Sequence, residues 1–206
     1  LNYGHRPADL ARRLEAMKLA GARGFGEHKV GLPIDHPWAC ELYAICADLR
    51  FPVLLHLDFT LNSDENGQPG LERVLQRFPN TMFIGHGPTF WGEIADGYDR
   101  GRSSGYPAGT IVSPGSTDRL LASYANLYAD LSAHSAYNAL TRDVDFTPGF
   151  FERHWRKLMF GTDYLRPRQD LTIIPYLRRY PFSAEQREAI MGGTAARLLD
   201  LDTWNG

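Results

Sequence analysis

Cysteine is almost missing from this chain. Only Cys40 and Cys46 occur, six residues apart in a helical pattern and so on different faces, which argues against a disulfide framework and marks both as buried free thiols. No apolar run reaches the roughly eighteen residues of a membrane helix, and no basic-then-apolar leader opens the chain. Positive charge forms no stripe: 22 basic and 24 acidic residues are interspersed, with a formal net charge of -2, which excludes the electrostatic footprint that nucleic acid demands. A Gly-x-Ser-x-Gly elbow, a phosphate loop and a Cys-His arrangement are also missing. Gly21, Gly24 and Gly26 have the wrong spacing for a dinucleotide fingerprint and precede a strand instead of following one. The absences leave a small-molecule partner, with no nucleic acid and no membrane, in a cytoplasmic setting. Self-association stays open, as does a leader, because the chain begins at Leu1 and not at a methionine.

The 206 residues, 43% of them hydrophobic, suffice for one sizeable core, and no low-complexity run or linker divides them, so residues 1–206 are expected to form one domain. Helical spacing marks Pro7–Ala20, with Leu10, Leu14 and Met17 as its apolar stripe, and Pro37–Leu49, with Asp35 as its cap. Gly70–Phe78 follows, stopped by Pro79–Asn80. Between and after these lie strands at Gly24–Val30, Pro52–His56, Thr81–Gly87, Leu127–Ser132 and Lys157–Gly161. Helix then strand at intervals of roughly thirty residues is the period of a βαβ unit and requires parallel strands. The period breaks at Pro88–Asn126, an excursion containing Phe90–Trp91, a Gly/Ser/Tyr-rich stretch over Gly97–Gly109 and a short helix near Thr117–Tyr124. Excursions of this length on the carboxyl side of a sheet usually cover a site. Helical segments at Tyr137–Arg142, Thr147–Arg156, Leu171–Arg179, Ala184–Ile190 and Ala195–Leu201, the last capped by Thr194, complete the chain.

Three apolar runs end in metal-compatible side chains: Pro-Val-Leu-Leu-His-Leu-Asp at Pro52–Asp58, Thr-Met-Phe-Ile-Gly-His-Gly at Thr81–Gly87, and Lys-Leu-Met-Phe-Gly-Thr-Asp-Tyr at Lys157–Tyr164. A buried strand has no local reason to finish this way, whereas reactive side chains sit at the carboxyl ends of strands in α/β barrels. His56, His86 and Asp163 are therefore expected to share one site. Imidazole and carboxylate donors suit zinc, manganese or iron. A period of two puts Phe25, Glu27 and Lys29 on one face of the first strand and His28 on the other, toward the helices. Asp58, Asp130 and His134 end or follow strands and could orient ligands or substrate. Trp91 and Tyr164 could line an apolar pocket at the mouth, while His36 and His154 read as surface or cap residues.

Together His56, the Phe-Ile-Gly-His-Gly around His86, Leu-Tyr-Ala-Asp-Leu-Ser, the Met-Phe-Gly-Thr-Asp around Asp163, the closing Gly-Gly-Thr-Ala-Ala-Arg-Leu-Leu and the early Phe-Gly-Glu-His-Lys-Val-Gly-Leu-Pro-Ile-Asp resemble the amidohydrolase superfamily, in its amidohydrolase-related (amidohydrolase 2) branch. The resemblance covers most of the chain in the family's order. It implies a metal-dependent hydrolase fold of (β/α)8 TIM-barrel type, here incomplete, with five parallel strands matching the family's fourth to eighth. His56 matches the fifth-strand metal ligand, His86 the sixth-strand histidine and Asp163 the eighth-strand aspartate. The resemblance leaves His86 as a metal ligand or as a base and oxyanion stabiliser, with the second role expected in a mononuclear site. It allows Glu27 or Lys29 as the fourth-strand ligand.

The family's first-strand His-x-His pair is absent, as is anything like strands one to three; His5 stands alone. The chain is therefore read as the carboxyl-terminal part of a longer enzyme, inactive by itself. The function implied is attack of a metal-activated water, with Asp163 as both metal ligand and proton acceptor and zinc as the expected metal, on a small-molecule amide, ester or lactone. The alternatives are metal-dependent decarboxylation of an aromatic acid, with Arg166 as a carboxylate clamp, and a non-catalytic barrel remnant.

Overall fold

The computed structural model describes residues 7–103 and 105–201; His5 lies outside them. The chain opens with α1 (Pro7–Leu19), β1 (Phe25–His28), α2 (Pro37–Asp48), β2 (Val53–His56), α3 (Pro69–Arg77) and β3 (Phe83–His86). Next come α4 (Pro88–Gly92), α5 (Ser116–Ser123), β4 (Leu127–Asp130), α6 (Ala133–Thr141) and α7 (Thr147–His154). A single 3-10 turn then leads into β5 (Leu158–Met159), followed by α8 (Ile173–Arg179), α9 (Ala184–Glu188) and α10 (Thr194–Leu198). The strands form one 5-stranded sheet in the order β1-β2-β3-β4-β5, and every pairing is parallel. Sequential parallel neighbours joined by helices are the right-handed βα repeat of a barrel wall. Among the described residues β1 pairs only with β2 and β5 only with β4, so the wall is open at both edges.

Strand alternation divides the sheet's side chains. Val53, Leu55, Phe83, Leu127, Ala129 and Leu158 are all fully buried and share one parity, facing the helical layer. The opposite parity carries Leu54, His56, Ile84, His86, Tyr128, Asp130 and Met159. Below the ionisable groups, this second face borders a cleft with Phe25, Leu54, Ile84, Met159 and Leu199 in its lining. Both cysteines are free and buried, as expected; burial pushes the Cys46 thiol up to about 12.

Several local expectations change. β1 is shorter than Gly24–Val30, which leaves Lys29 beyond the strand. His36, not Asp35, caps α2, its ring accepting from the Trp38 amide, while Asp35 pairs with Arg73 instead. Met17 is 60% exposed, so the α1 stripe ends at Leu14. Thr194 does not cap the last helix: a π-helical turn over Ala189–Gly193 runs into it and Thr194 is its first residue. His154, expected at the surface, is buried against Asp118 at 3.2 Å, because α7 packs its last turn on α5.

His28 faces the helices, as its parity requires, with Nδ1 3.3 Å from the hydroxyl of the fully buried Tyr43. Burial lowers its pKa from 6.5 to about 4. The unfolded chain takes up a proton as pH falls through 6.5 while the folded chain does not until about 4, so stability is full above 6.5 and is lost between those values. Urea denaturation at pH 7.5 and pH 5 should show a loss of about 2 kcal/mol from this group, and His28→Gln should flatten that dependence.

Candidate metal centre and cleft

The site begins with a register. β2 and β3 pair so that His56 lies directly beside His86, with their ring centroids 5.3 Å apart. Each is the last residue of its strand, and Glu27 is the penultimate residue of β1, so three donor side chains converge at the carboxyl end of the sheet. Glu27 Oε1 lies 2.5 Å from His56 Nδ1 and 3.4 Å from His86 Nε2. One ligand atom from each of the three falls within 4.8 Å of the others. Two imidazole nitrogens and a carboxylate oxygen form a donor set that suits zinc or manganese, so the residues present fit a divalent ion.

Charge is arranged around this group. Burial by itself would raise Glu27, but the Lys29 ammonium at 2.8 Å and the two imidazoles outweigh it and hold the carboxyl below its ordinary value. Burial would likewise lower His86, yet hydrogen bonding and charge from Asp130, with the charges of Glu27 and Asp163, raise it. Asp130 Oδ1 is 2.9 Å from His86 Nδ1. Asp58 Oδ2 stands 3.3 Å from His56 Nε2, while its Oδ1 accepts from the amides of Thr60 at 2.7 Å and Leu61 at 2.5 Å. Burial pushes Asp58 up, but those amides and His56 hold it down as a carboxylate. Each histidine therefore has one nitrogen toward Glu27 and the other against a carboxylate, the usual way a protein fixes ring orientation.

Of the remaining sequence candidates, Lys29 binds Glu27 and so neutralises the centre from outside. Asp163 follows β5 in a left-handed conformation (φ 50°); its charge reaches His86, but it is not among the three convergent ligands. It lines a neighbouring cleft of about 470 Å³ with Tyr106, His134, Leu165, Arg166 and Gln169. The His134 ring packs 5.2 Å from Tyr106, which brings the tip of the 88–126 excursion over the mouth. Tyr164 is exposed beside Asp163. Trp91 does not reach the mouth: it is 1% exposed and packs edge-on against Phe90 and Phe150 in the core.

Sequence reasoning missed two residues. Asn62 is fully buried, and its Nδ2 donates to the main-chain oxygens of His28 at 2.5 Å and His56 at 3.0 Å, clamping the ends of β1 and β2 together. Nothing in the polar loop that contains it distinguishes it from a turn residue. Ser132 is the other; its place in Leu-Tyr-Ala-Asp-Leu-Ser was a signal of family, not of role.

An open parallel α/β wall with ionisable side chains gathered at the carboxyl ends of its strands is the architecture of the (β/α)8-barrel enzymes. The chain belongs to the amidohydrolase family: the family model described as Amidohydrolase matches residues 5–201. No curated protein matches it. Among solved structures it is similar to an uncharacterized TIM-barrel protein, Bb4693, from Bordetella bronchiseptica, at 19% identity and TM-score 0.64, covering 96% of this chain and 64% of that one. A protein provisionally named 2-pyrone-4,6-dicarboxylic acid hydrolase, from Pseudomonas putida, gives 18% identity and TM-score 0.64, over 94% of this chain and 68% of that one. A 5-carboxyvanillate decarboxylase from Novosphingobium aromaticivorans, solved with manganese, gives 13% identity and TM-score 0.58, over 95% of this chain and 61% of that one. At these identities the likeness concerns the fold. The chain thus spans about two thirds of the length of these barrels.

Gly85 lets the centre form, since a Cβ there would lie 2.3 Å from the Phe90 ring. Gly85→Ala must displace either that ring or the strand carrying His86, and should lower stability by about 1–3 kcal/mol, read as a shift in the urea midpoint.

Proposed function

We propose that this chain is the carboxyl-terminal part of a metal-dependent hydrolase acting on a small-molecule amide, ester or lactone. The observation that carries the proposal is the convergence of Glu27 Oε1, His56 Nδ1 and His86 Nε2 at the carboxyl ends of adjacent parallel strands. These three residues would hold a divalent ion, zinc or manganese, and the grouping favours His86 as a ligand over the detached base that the family resemblance left open. When bound, the ion supplies Lewis-acid polarisation of a carbonyl and a lower pKa for water. Asp163 takes a proton from the attacking water at its carboxylate and returns it to the leaving group. Asp58 and Asp130 hold the two imidazoles, while Lys29 keeps Glu27 ionised. His134 and Tyr106 wall the cleft beside Asp163 and limit the size of what enters. The further βα units that would close the wall at the β1 edge are placed upstream in the same polypeptide. We expect the 206-residue chain alone to bind metal weakly and to be inactive.

A second reading, decarboxylation of an aromatic acid, is favoured by one observation: Arg166 lines the same cleft as Asp163 and can face a carboxylate there. The manganese-bound decarboxylase of similar fold adds to it. With the upstream units restored, the two separate cleanly when the protein is offered a lactone dicarboxylate and a hydroxylated benzoate. Ring opening without carbon dioxide release supports the hydrolase, carbon dioxide release supports the decarboxylase, and neither activity in a metal-loaded protein supports a non-catalytic remnant.

Two outcomes concern the metal itself. Calorimetric titration with Mn²⁺ should show Glu27→Gln and His56→Ala each weakening binding by about tenfold or more, because each removes one of three donors. Protons compete with the ion for His86, whose pKa is raised by Asp130, so affinity should increase as pH rises through neutrality and fall as the ring becomes an imidazolium below it.

A further inference from the structure

Ser132 stands at the N-cap of α6, the position where serine hydroxyls ordinarily accept from the first free amides of a helix, yet its side chain makes no capping bond. It is 2% exposed. Its Oγ donates to Asp130 Oδ2 at 2.8 Å and lies 3.0 Å from His86 Nδ1. Two further features keep it there. The next residue, Ala133, is in a left-handed conformation (φ 63°) that an alanine adopts only when its surroundings impose it. Gly161, where β5 runs out, leaves the room: a Cβ there would lie 2.9 Å from Ser132 Cβ. The cap bond is forgone and the backbone is bent, with the hydroxyl delivered to a histidine instead of to the helix.

Counting protons decides what the hydroxyl does. Its one proton goes to Asp130 Oδ2, and an ionised carboxylate has no proton to offer. The contacts of His86 Nδ1 to Asp130 Oδ1 and to Ser132 Oγ are then both attractive only if Nδ1 carries the hydrogen. That leaves the lone pair of the neutral ring on Nε2, which faces Glu27 Oε1 at 3.4 Å, a longer contact than the two at 2.9 and 3.0 Å that Nδ1–H satisfies. We infer that Ser132 is a positioning residue for His86: by holding Asp130 with one oxygen turned to Nδ1, and by accepting from Nδ1 itself, it locks the ring in the Nδ1–H tautomer and aims Nε2 into the proposed metal centre. The consequence for metal rests on the proposed function; the tautomer does not.

The test is therefore a spectroscopic one, made on protein labelled with ¹⁵N-histidine at a pH where the ring is neutral. In the unaltered protein, long-range ¹H–¹⁵N correlations should place the His86 hydrogen on Nδ1. Ser132→Ala should bring the Nδ1 and Nε2 shifts toward each other as both tautomers become populated, and Ser132→Thr, which keeps the hydroxyl, should restore them. Gly161→Ala, which keeps Ser132 but pushes it from its place, should behave like Ser132→Ala and serves if that variant does not fold. Titrated with Mn²⁺ alone, Ser132→Ala should bind roughly 10- to 100-fold more weakly than the unaltered protein. A folded Ser132→Ala or Gly161→Ala protein with unchanged His86 shifts, whatever its melting temperature, overturns the inference and leaves Ser132 a packing residue. Tautomer changes as expected in a protein that binds no Mn²⁺ would uphold the positioning role and overturn the metal reading instead.

Discussion

Everything at the carboxyl end of this sheet depends on the register of β2 against β3. Parallel pairing puts His56 beside His86, and a slip of one residue would turn one of the two toward the helices. The apolar parity enforces that register: Val53, Leu55 and Phe83 are fully buried against the helical layer, and moving any of them to the other face would bring a histidine into the core in exchange. The site's precision is thus held by hydrophobic burial several residues away from the chemistry.

Around this register the polar groups are secured by one another. Asn62 joins β1 to β2 through their carbonyls. The long excursion between β3 and β4 is tied down at two buried carboxylates. Glu93 accepts from the Gly67 amide, from Ser116 at 2.9 Å and from Arg100 at 3.1 Å. Asp118 binds Arg153 at 2.5 Å and His154 at 3.2 Å; burial would raise it, but those two partners outweigh the cost and keep it ionised. Removing one partner of such a pair leaves a buried charge unmatched, a larger loss than the pair's own net worth. The excursion is consequently anchored at its base, while Tyr106, nearer its middle, reaches His134 at the cleft.

Much of the fold was legible because its causes are local. Apolar runs bounded by turn residues marked the strands, and a thirty-residue period required them to be parallel. The faces of β1 were readable too: His28 meets Tyr43 and Glu27 meets the histidines, as a period of two demands. The expectations that failed share a physical reason. His154 looks like a surface histidine until Asp118, 36 residues earlier, is known to face it. Trp91 sits next to a site strand in sequence, but its large apolar surface is buried toward Phe150. Thr194 has the chemistry of a cap, but the break falls earlier, at Gly192, and both Gly193 and Thr194 are already helical.

The sequence by itself determined the class of fold, the family, and the three strand-end residues His56, His86 and Asp163, since alternation and period are written residue by residue along each element. It also determined that Glu27 shares the face of those strand ends. Only the tertiary structure decided which of these converge. Glu27 joins the two histidines, while Asp163 lines the cleft beside Arg166 and reaches His86 through its charge. Ser132 could be separated from an ordinary helix cap only by its distances to Asp130 and His86, residues on two different strands. Side-chain direction at a loop or a cap is set by what packs against it from elsewhere in the chain, and no local pattern carries that information.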